Sequence, residues 1–296
     1  MWQTFTTTAC RARLTKWELL FILFVACYNT VFSIEPLRTL LFWLLVPLIY
    51  FAIVLVIALL PERVDGKHLA FLTGSLLVIS FLWTVDKNGG VVNFNGWRTF
   101  RLTMPFLVST TSAAFFSYFF LYAYSQHQFW AELFSLVSLL LTQSRGPILG
   151  LAMALLYGGV NMYWFIALTA FIIYAIPYTL REFVGPYAFY TQRFHIWRAA
   201  WEMFVMRPFS GVGFGTFPLA LKIYSHPFLF QFFPFNHAHN ILLHLLAEVG
   251  IAGPIVFVIL LKNIYKAFPP SDTQKGWLLR MALVSYLGRN IFDVTP

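Results

Sequence analysis

Three short stretches hold the residues of this sequence best suited to chemistry. In Leu140-Leu141-Thr142-Gln143-Ser144-Arg145-Gly146-Pro147 an arginine closes one apolar run and opens the next. Arginine inside a membrane helix costs about 2.5–3.5 kcal/mol on insertion scales. Snorkelling to lipid phosphates relieves that cost, but a Ser-Arg-Gly-Pro turn restricts the side chain more than a helix end does. In the second stretch, Thr191 to Val205, a helical turn of about 100° per residue puts Phe194, Trp197, Trp201, Phe204 and Val205 on one face. His195, Arg198 and Glu202 cluster beside that face. Arg193 falls on its other edge near Phe204, where it can point into a cavity. Pro208 stops the helix, and Gly211-Val212-Gly213-Phe214-Gly215 follows, a loop able to turn backbone N–H groups toward an anion.

The third stretch is Asn236-His237-Ala238-His239-Asn240, at the start of an apolar run reaching Gly250-Ile251-Ala252-Gly253-Pro254. Asn240, His244 and Glu248 recur at every fourth position and form a polar ladder on one helix face. Hydrogen bonding between helices is the first expectation for that ladder. Glu248 sits among apolar residues and must be paired, protonated or in a wet cavity. His239 lies at the mouth of the run, where a neutral imidazole can take a proton from an incoming hydroxyl. His237 and His239, with His244 and Glu248, also suggest zinc. No cysteine or D-x-D carboxylate pair accompanies them, so neither a metal nor another cofactor is expected.

The elements that must position these residues follow from composition. Of 296 residues, 59% are hydrophobic and only 10% charged, with mean hydropathy +0.73. A soluble domain carries about 25% charged residues, so both a soluble globular fold and a disordered chain are excluded. The uncharged runs are too long for the alternating strands of a barrel. The expected fold is all-α, a polytopic membrane helix bundle of about nine spans, near 17–34, 37–60, 69–85, 102–124, 129–143, 147–160, 162–177, 239–261 and 277–294. Tyr157-Gly158-Gly159-Val160-Asn161 supplies a turn within the uncharged stretch 146–180. Residues 1–130 read as N-terminal spans. Residues 131–296 hold the three stretches, including a long segment 178–238 whose helix suits the membrane interface. Trp17–Ile34 reads as a retained first span, since no small-x-small cleavage site follows it. Cys10 and Cys27 have no partner spacing and read as bystanders.

Charge gives the orientation. There are 20 Lys+Arg against 11 Asp+Glu, a net +9. Nine spans put the basic N-terminus, Arg63, Lys67, Lys262, Lys266 and Lys275 on one side, which the positive-inside rule makes cytoplasmic. Arg145 and the whole segment 178–238 then face outward, as do Lys87, Arg98 and Arg101, against the rule. A transporter for an anionic or lipid-linked substrate would show inverted repeats and polar residues near mid-membrane on several spans. Here no repeat is evident and the polar residues gather at one face. Membrane lipids are expected neighbours; nucleic acid is not an expected partner.

The three stretches, in this order, resemble the bacterial O-antigen ligases and their relatives, the O-antigen polymerases and protein O-oligosaccharyltransferases. Thr142-Gln143-Ser144-Arg145-Gly146 is similar to the family's Ser/Thr-Arg segment. Arg193, Ile196-Trp197, Arg207-Pro208 and the glycine loop resemble its long-loop signature. His239-Asn240 with Gly250-x-x-Gly253 resembles its His-Asn/Ser/Gln motif. The resemblance covers about 130–293 and implies a multispanning, inverting, metal-independent glycosyltransferase of the bacterial inner membrane with its active site toward the periplasm. It implies a glycan donor on undecaprenyl pyrophosphate and, for a ligase, a sugar of lipid A–core as acceptor. It gives Arg145 and Arg193 to the pyrophosphate and His239 to the acceptor hydroxyl as general base. Asn240, His237, Arg198 and Asp293 become supporting residues, Asp293 being similar to an acidic residue that precedes the family's closing helices.

Overall fold

The computed structural model describes residues 2–59, 65–87, 102, 104, 109–142, 144–159, 189–224 and 237–290. The expected span 162–177, Arg63, Arg98, Arg101, Gln143 and Asp293 lie outside them. The described residues form α-helices and no strand. In chain order these are α1 (Trp2–Arg11), α2 (Lys16–Val31), α3 (Pro36–Leu59), α4 (Gly66–Lys87), α5 (Ser109–Ser125), α6 (Phe129–Leu141), α7 (Arg145–Gly158), α8 (Phe189–Met206), α9 (Phe217–Tyr224), α10 (Ile241–Val249), α11 (Ala252–Ala267) and α12 (Gln274–Asn290).

Among the described residues, two helices are long and apolar enough to cross a membrane: α3, and α4 over Gly66–Val85. Only 17% and 22% of their apolar windows are buried, so neither is the core helix of a soluble fold. Their polarity is inverted. On α4, Thr73, Ser80 and Thr84 are buried while Phe71 and Leu82 face outward. That is the arrangement a lipid solvent selects, with polar side chains turned away from hydrocarbon and Thr73 and Thr84 donating to carbonyls of their own helix. The other expected spans meet shorter helices. The stretch near 129–143 is Phe129–Leu141, that near 147–160 is Arg145–Gly158, and 102–124 is helical from Ser109.

The stretch 239–261 is not one span. It breaks at Gly250, where φ is +72°, into α10 and α11. In a continuous helix residues 245 and 253 would be about 12 Å apart. Instead a Cβ on Gly253 would lie 2.7 Å from the Leu245 carbonyl oxygen, so the chain turns sharply back. With nine residues, α10 is too short to cross a hydrocarbon core of roughly 30 Å.

The helices divide between two compact units. The first comprises Met1–Leu60 and Phe171–Phe268, and so holds α1–α3 and α8–α11. Here α2 opens with a capping box, Thr15 Oγ1 accepting from the Glu18 amide at 3.2 Å and Glu18 accepting from the Thr15 amide at 2.9 Å. Glu18 also pairs with Lys262 near the end of α11. The second unit comprises Pro61–Ala170 and Pro269–Pro296 and holds α4–α7 and α12. There α7 and α12 run antiparallel and close together. Gly150 lies against Ser285 and Arg289, while Gly158 lies against Trp277 and Met281.

Candidate functional site

In the first unit α8 buries Ile196, Ala199, Ala200 and Met203 with Val212, Phe217, Ala238 and Ala247 in one cluster. The opposite face carries the aromatic stripe read from the sequence. Phe194, Trp201 and Val205 are exposed, and Trp197 and Phe204 half-buried. The helix therefore turns aliphatic residues, two of them alanines, toward its packing partners and most of its large aromatic ones away from them.

Alongside α8 lies α10, and their C-terminal ends are tied together. The Ile251 amide donates to the Pro208 carbonyl at 2.8 Å and the Val212 amide to the Ala247 carbonyl at 2.9 Å. Ala238, between the two histidines, shares a buried cluster with Ile196, three residues along α8 from Arg193. Arg193 is half-buried, its Nε shielded from solvent. His239 is half-buried and has φ of +53°, a left-handed conformation rare for a residue with a side chain. Its ring meets that of His237 edge-on, centroids 4.5 Å apart. Asn240 is the N-cap of α10, its Oδ1 accepting from the Leu243 amide at 3.0 Å. The His-Asn pair thus has a local cause: asparagine starts the helix, and the histidine before it is turned out of helical geometry.

Arg198 lies about 140° around α8 from Arg193. It is exposed and ion-paired with Glu202 at 2.9 Å. Arg145 belongs to the second unit, as the first residue of α7. The N-cap of α7, Ser144, makes no side-chain capping bond. Among the described residues no three His, Cys, Asp or Glu side chains group as metal ligands.

The glycine-rich loop does not face an external anion. All seven amides from Gly211 to Phe217 are taken within the chain. Gly211 donates to Arg207, Val212 to Ala247, Gly213 to the Glu248 carbonyl and Thr216 to the Gly213 carbonyl. Phe214 donates to Asn29 Oδ1 at 3.1 Å. Gly215 and Phe217 donate to the Glu248 carboxylate at 2.9 and 2.8 Å. The anion in this cradle is the chain's own Glu248, 1% exposed, with His244 Nε2 at 3.5 Å from it. The ladder residue Glu248 is thus paired, and its partners are backbone amides rather than another helix's side chains.

The N-terminal helices complete this knot, and sequence reading misses them. Asn29 on α2 donates to the carbonyls of Ser210 and Glu248 and accepts from Trp43 on α3. Arg38 donates to the Gly215 carbonyl at 2.7 Å, and Arg207 to that of Phe32 at 2.8 Å. An asparagine inside an apolar helix is the available signal, since such a residue needs a partner; nothing local says which.

Gly211 has φ of +61°, and a Cβ there would come within 2.3 Å of the Glu248 backbone. Left-handed backbone alone costs an alanine about 1–2 kcal/mol, so Gly211→Ala is expected to lower the melting temperature of the detergent-purified protein. An unchanged melting curve would show that the loop is not held against α10.

Among known proteins, residues 130–258 match the family model described as O-Antigen ligase. No curated protein and no solved structure matches the chain significantly. The match spans Arg145, Arg193, the glycine loop and His239-Asn240. Over residues 130–258 the chain is similar to the O-antigen ligase family.

Proposed function

We propose that the protein transfers a glycan from undecaprenyl pyrophosphate to a sugar hydroxyl of lipid A–core, in the bacterial inner membrane and at its periplasmic face. The observation that carries this reading is His239 held in left-handed backbone at the mouth of α10, beside Ala238, which is buried in one cluster with Ile196 of α8. Strained backbone persists where the surrounding structure over-determines it, and such places cluster at functional sites.

In the proposed reaction His239 takes the proton from the acceptor hydroxyl, and that oxygen attacks the anomeric carbon from the side opposite the donor bond. The bond to pyrophosphate breaks with its electron pair leaving on the undecaprenyl pyrophosphate, and configuration inverts. Arg193 and Arg145 bind the pyrophosphate, whose developing charge a guanidinium can meet with paired N–H bonds without a metal. Asn240 and His237 hold His239 in place. Between α4 and α6 a groove of about 600 Å³ walled by Phe71, Val78, Trp130 and Phe134 has the chemistry for a hydrocarbon tail. The exposed stripe of α8 suits the membrane interface.

The test is a reconstituted reaction with undecaprenyl-pyrophosphate-linked glycan and two acceptors offered separately, lipid A–core and the glycan itself. Transfer to lipid A–core is expected. Transfer only to the glycan would make the protein a polymerase of the same family, and transfer to neither would sink the enzymatic reading.

A further inference from the structure

In α12 two arginines meet opposite fates. Arg280 is satisfied by the chain, its Nη1 donating to the carbonyls of Pro269 at 2.9 Å and Gly276 at 2.8 Å. Arg289 is only 5% exposed, yet its buried Nε has no hydrogen-bond partner. Among the described residues no carboxylate lies within ion-pair distance of it. Its guanidinium sits over the ring of Tyr286, 6.0 Å from the centroid. Tyr118 on α5, half-buried, is close enough to interact with its charge. Burying a guanidinium costs several kcal/mol unless it is paired and hydrogen-bonded. A structural arginine in this helix looks like Arg280; Arg289 lacks that satisfaction.

We propose that Arg289, with the hydroxyls of Tyr118 and Tyr286, forms a binding site for a phosphate-type oxyanion inside the second unit. Guanidinium N–H groups in a rigid fork and two phenolic O–H donors suit an anion with several acceptor oxygens on one centre. The surroundings favour negative charge as well. Because α7 and α12 are antiparallel, Arg289 packs at Gly150, one and a half turns inside the N-terminus of α7, whose dipole is positive there and whose N-cap side chain makes no capping bond. The absence of a side chain at Gly150 lets α12 approach until Arg289 Cβ would stand 3.1 Å from a Cβ at that position. The phosphate can be free or carried on a lipid. The site stands on Arg289 and its two tyrosines and does not depend on His239 or on any transfer reaction.

The test uses the full chain, delipidated in detergent, with radiolabelled inorganic pyrophosphate in equilibrium dialysis. Parallel native mass spectrometry of protein taken directly from membranes counts retained phospholipid. Both measurements are made on the parent and on an Arg145→Ala/Arg193→Ala background, so that anion held by those arginines is counted apart. Arg289→Gln is expected to weaken pyrophosphate binding, or to reduce retained phospholipid, at least tenfold in both backgrounds. Arg289→Lys should fall between, and Arg280→Gln should bind as the parent does. Tyr118→Phe/Tyr286→Phe keeps the charge and the packing and should weaken binding severalfold. It carries the test if Arg289→Gln does not fold. Pyrophosphate binding assigns the site to free phosphate chemistry; retained phospholipid without pyrophosphate binding assigns it to a headgroup. Binding of neither ligand by the parent overturns the proposal. So does binding that survives unchanged in Arg289→Gln or, where that variant does not fold, in the double phenylalanine variant.

Discussion

Replacing His239 with alanine is expected to lower the rate of glycan transfer about 10²–10⁴-fold, the range contributed by a positioned general base. The expectation follows from where the histidine stands. It precedes the N-cap of a short helix, its backbone is left-handed, and its ring packs edge-on against His237. An alanine loses the proposed proton acceptor and still carries the cost of positive φ. Asparagine tolerates that conformation better than alanine does, so His239→Asn separates the two effects. It should melt at or above the alanine variant and be equally inactive in the reconstituted reaction with lipid A–core. Activity in His239→Asn close to that of the parent would remove the histidine from the chemistry and leave it a turn residue. Arg193→Ala should lose transfer too, but through weaker donor binding, seen as a raised KM for the undecaprenyl-pyrophosphate glycan.

The second large effect is structural. Glu248→Ala leaves the amides of Gly215 and Phe217 buried without their acceptor, and each unsatisfied buried donor costs about 1–3 kcal/mol. A loss of about 2–6 kcal/mol is therefore expected, enough to unfold a marginally stable unit. Glu248→Gln keeps one acceptor oxygen but turns an amide toward the other N–H, so it should fall between the parent and Glu248→Ala. Thermal unfolding of the three proteins in one detergent orders them. If Glu248→Ala melted with the parent, the loop 211–217 would not depend on its internal carboxylate. This expectation is independent of catalysis, because the side chain is committed to the loop and to His244 rather than to substrate.

Both effects show which parts of the molecule are readable from sequence. The aromatic stripe of α8 was legible because helical periodicity is local: Phe194, Trp201 and Val205 turn outward and Ile196, Ala200 and Met203 inward. The pairing of Arg198 with Glu202 was equally legible as a spacing of four on one helix. The glycine loop was not. Its composition is the same whether its amides face a ligand or a carboxylate of the chain, and the carboxylate is supplied by α10. The turn at Gly250 was hidden for a related reason. Hydropathy sums over the apolar residues on both sides and has no measure of where the backbone reverses.

By itself the sequence determined that this is an α-helical chain built for lipid. With one charged residue in ten there is too little polar surface for water, and the aqueous option closes on composition alone. It also determined the order of its three polar stretches. Only the tertiary structure decided how their backbone is secured. Asn29, Trp43 and Arg38, from the first sixty residues, reach the segment around residue 210 and hold it against α10. The physical reason is that apolar burial depends on residue type and can be summed along the chain. A hydrogen bond depends on which donor meets which acceptor, and here the partners lie as many as 219 positions apart.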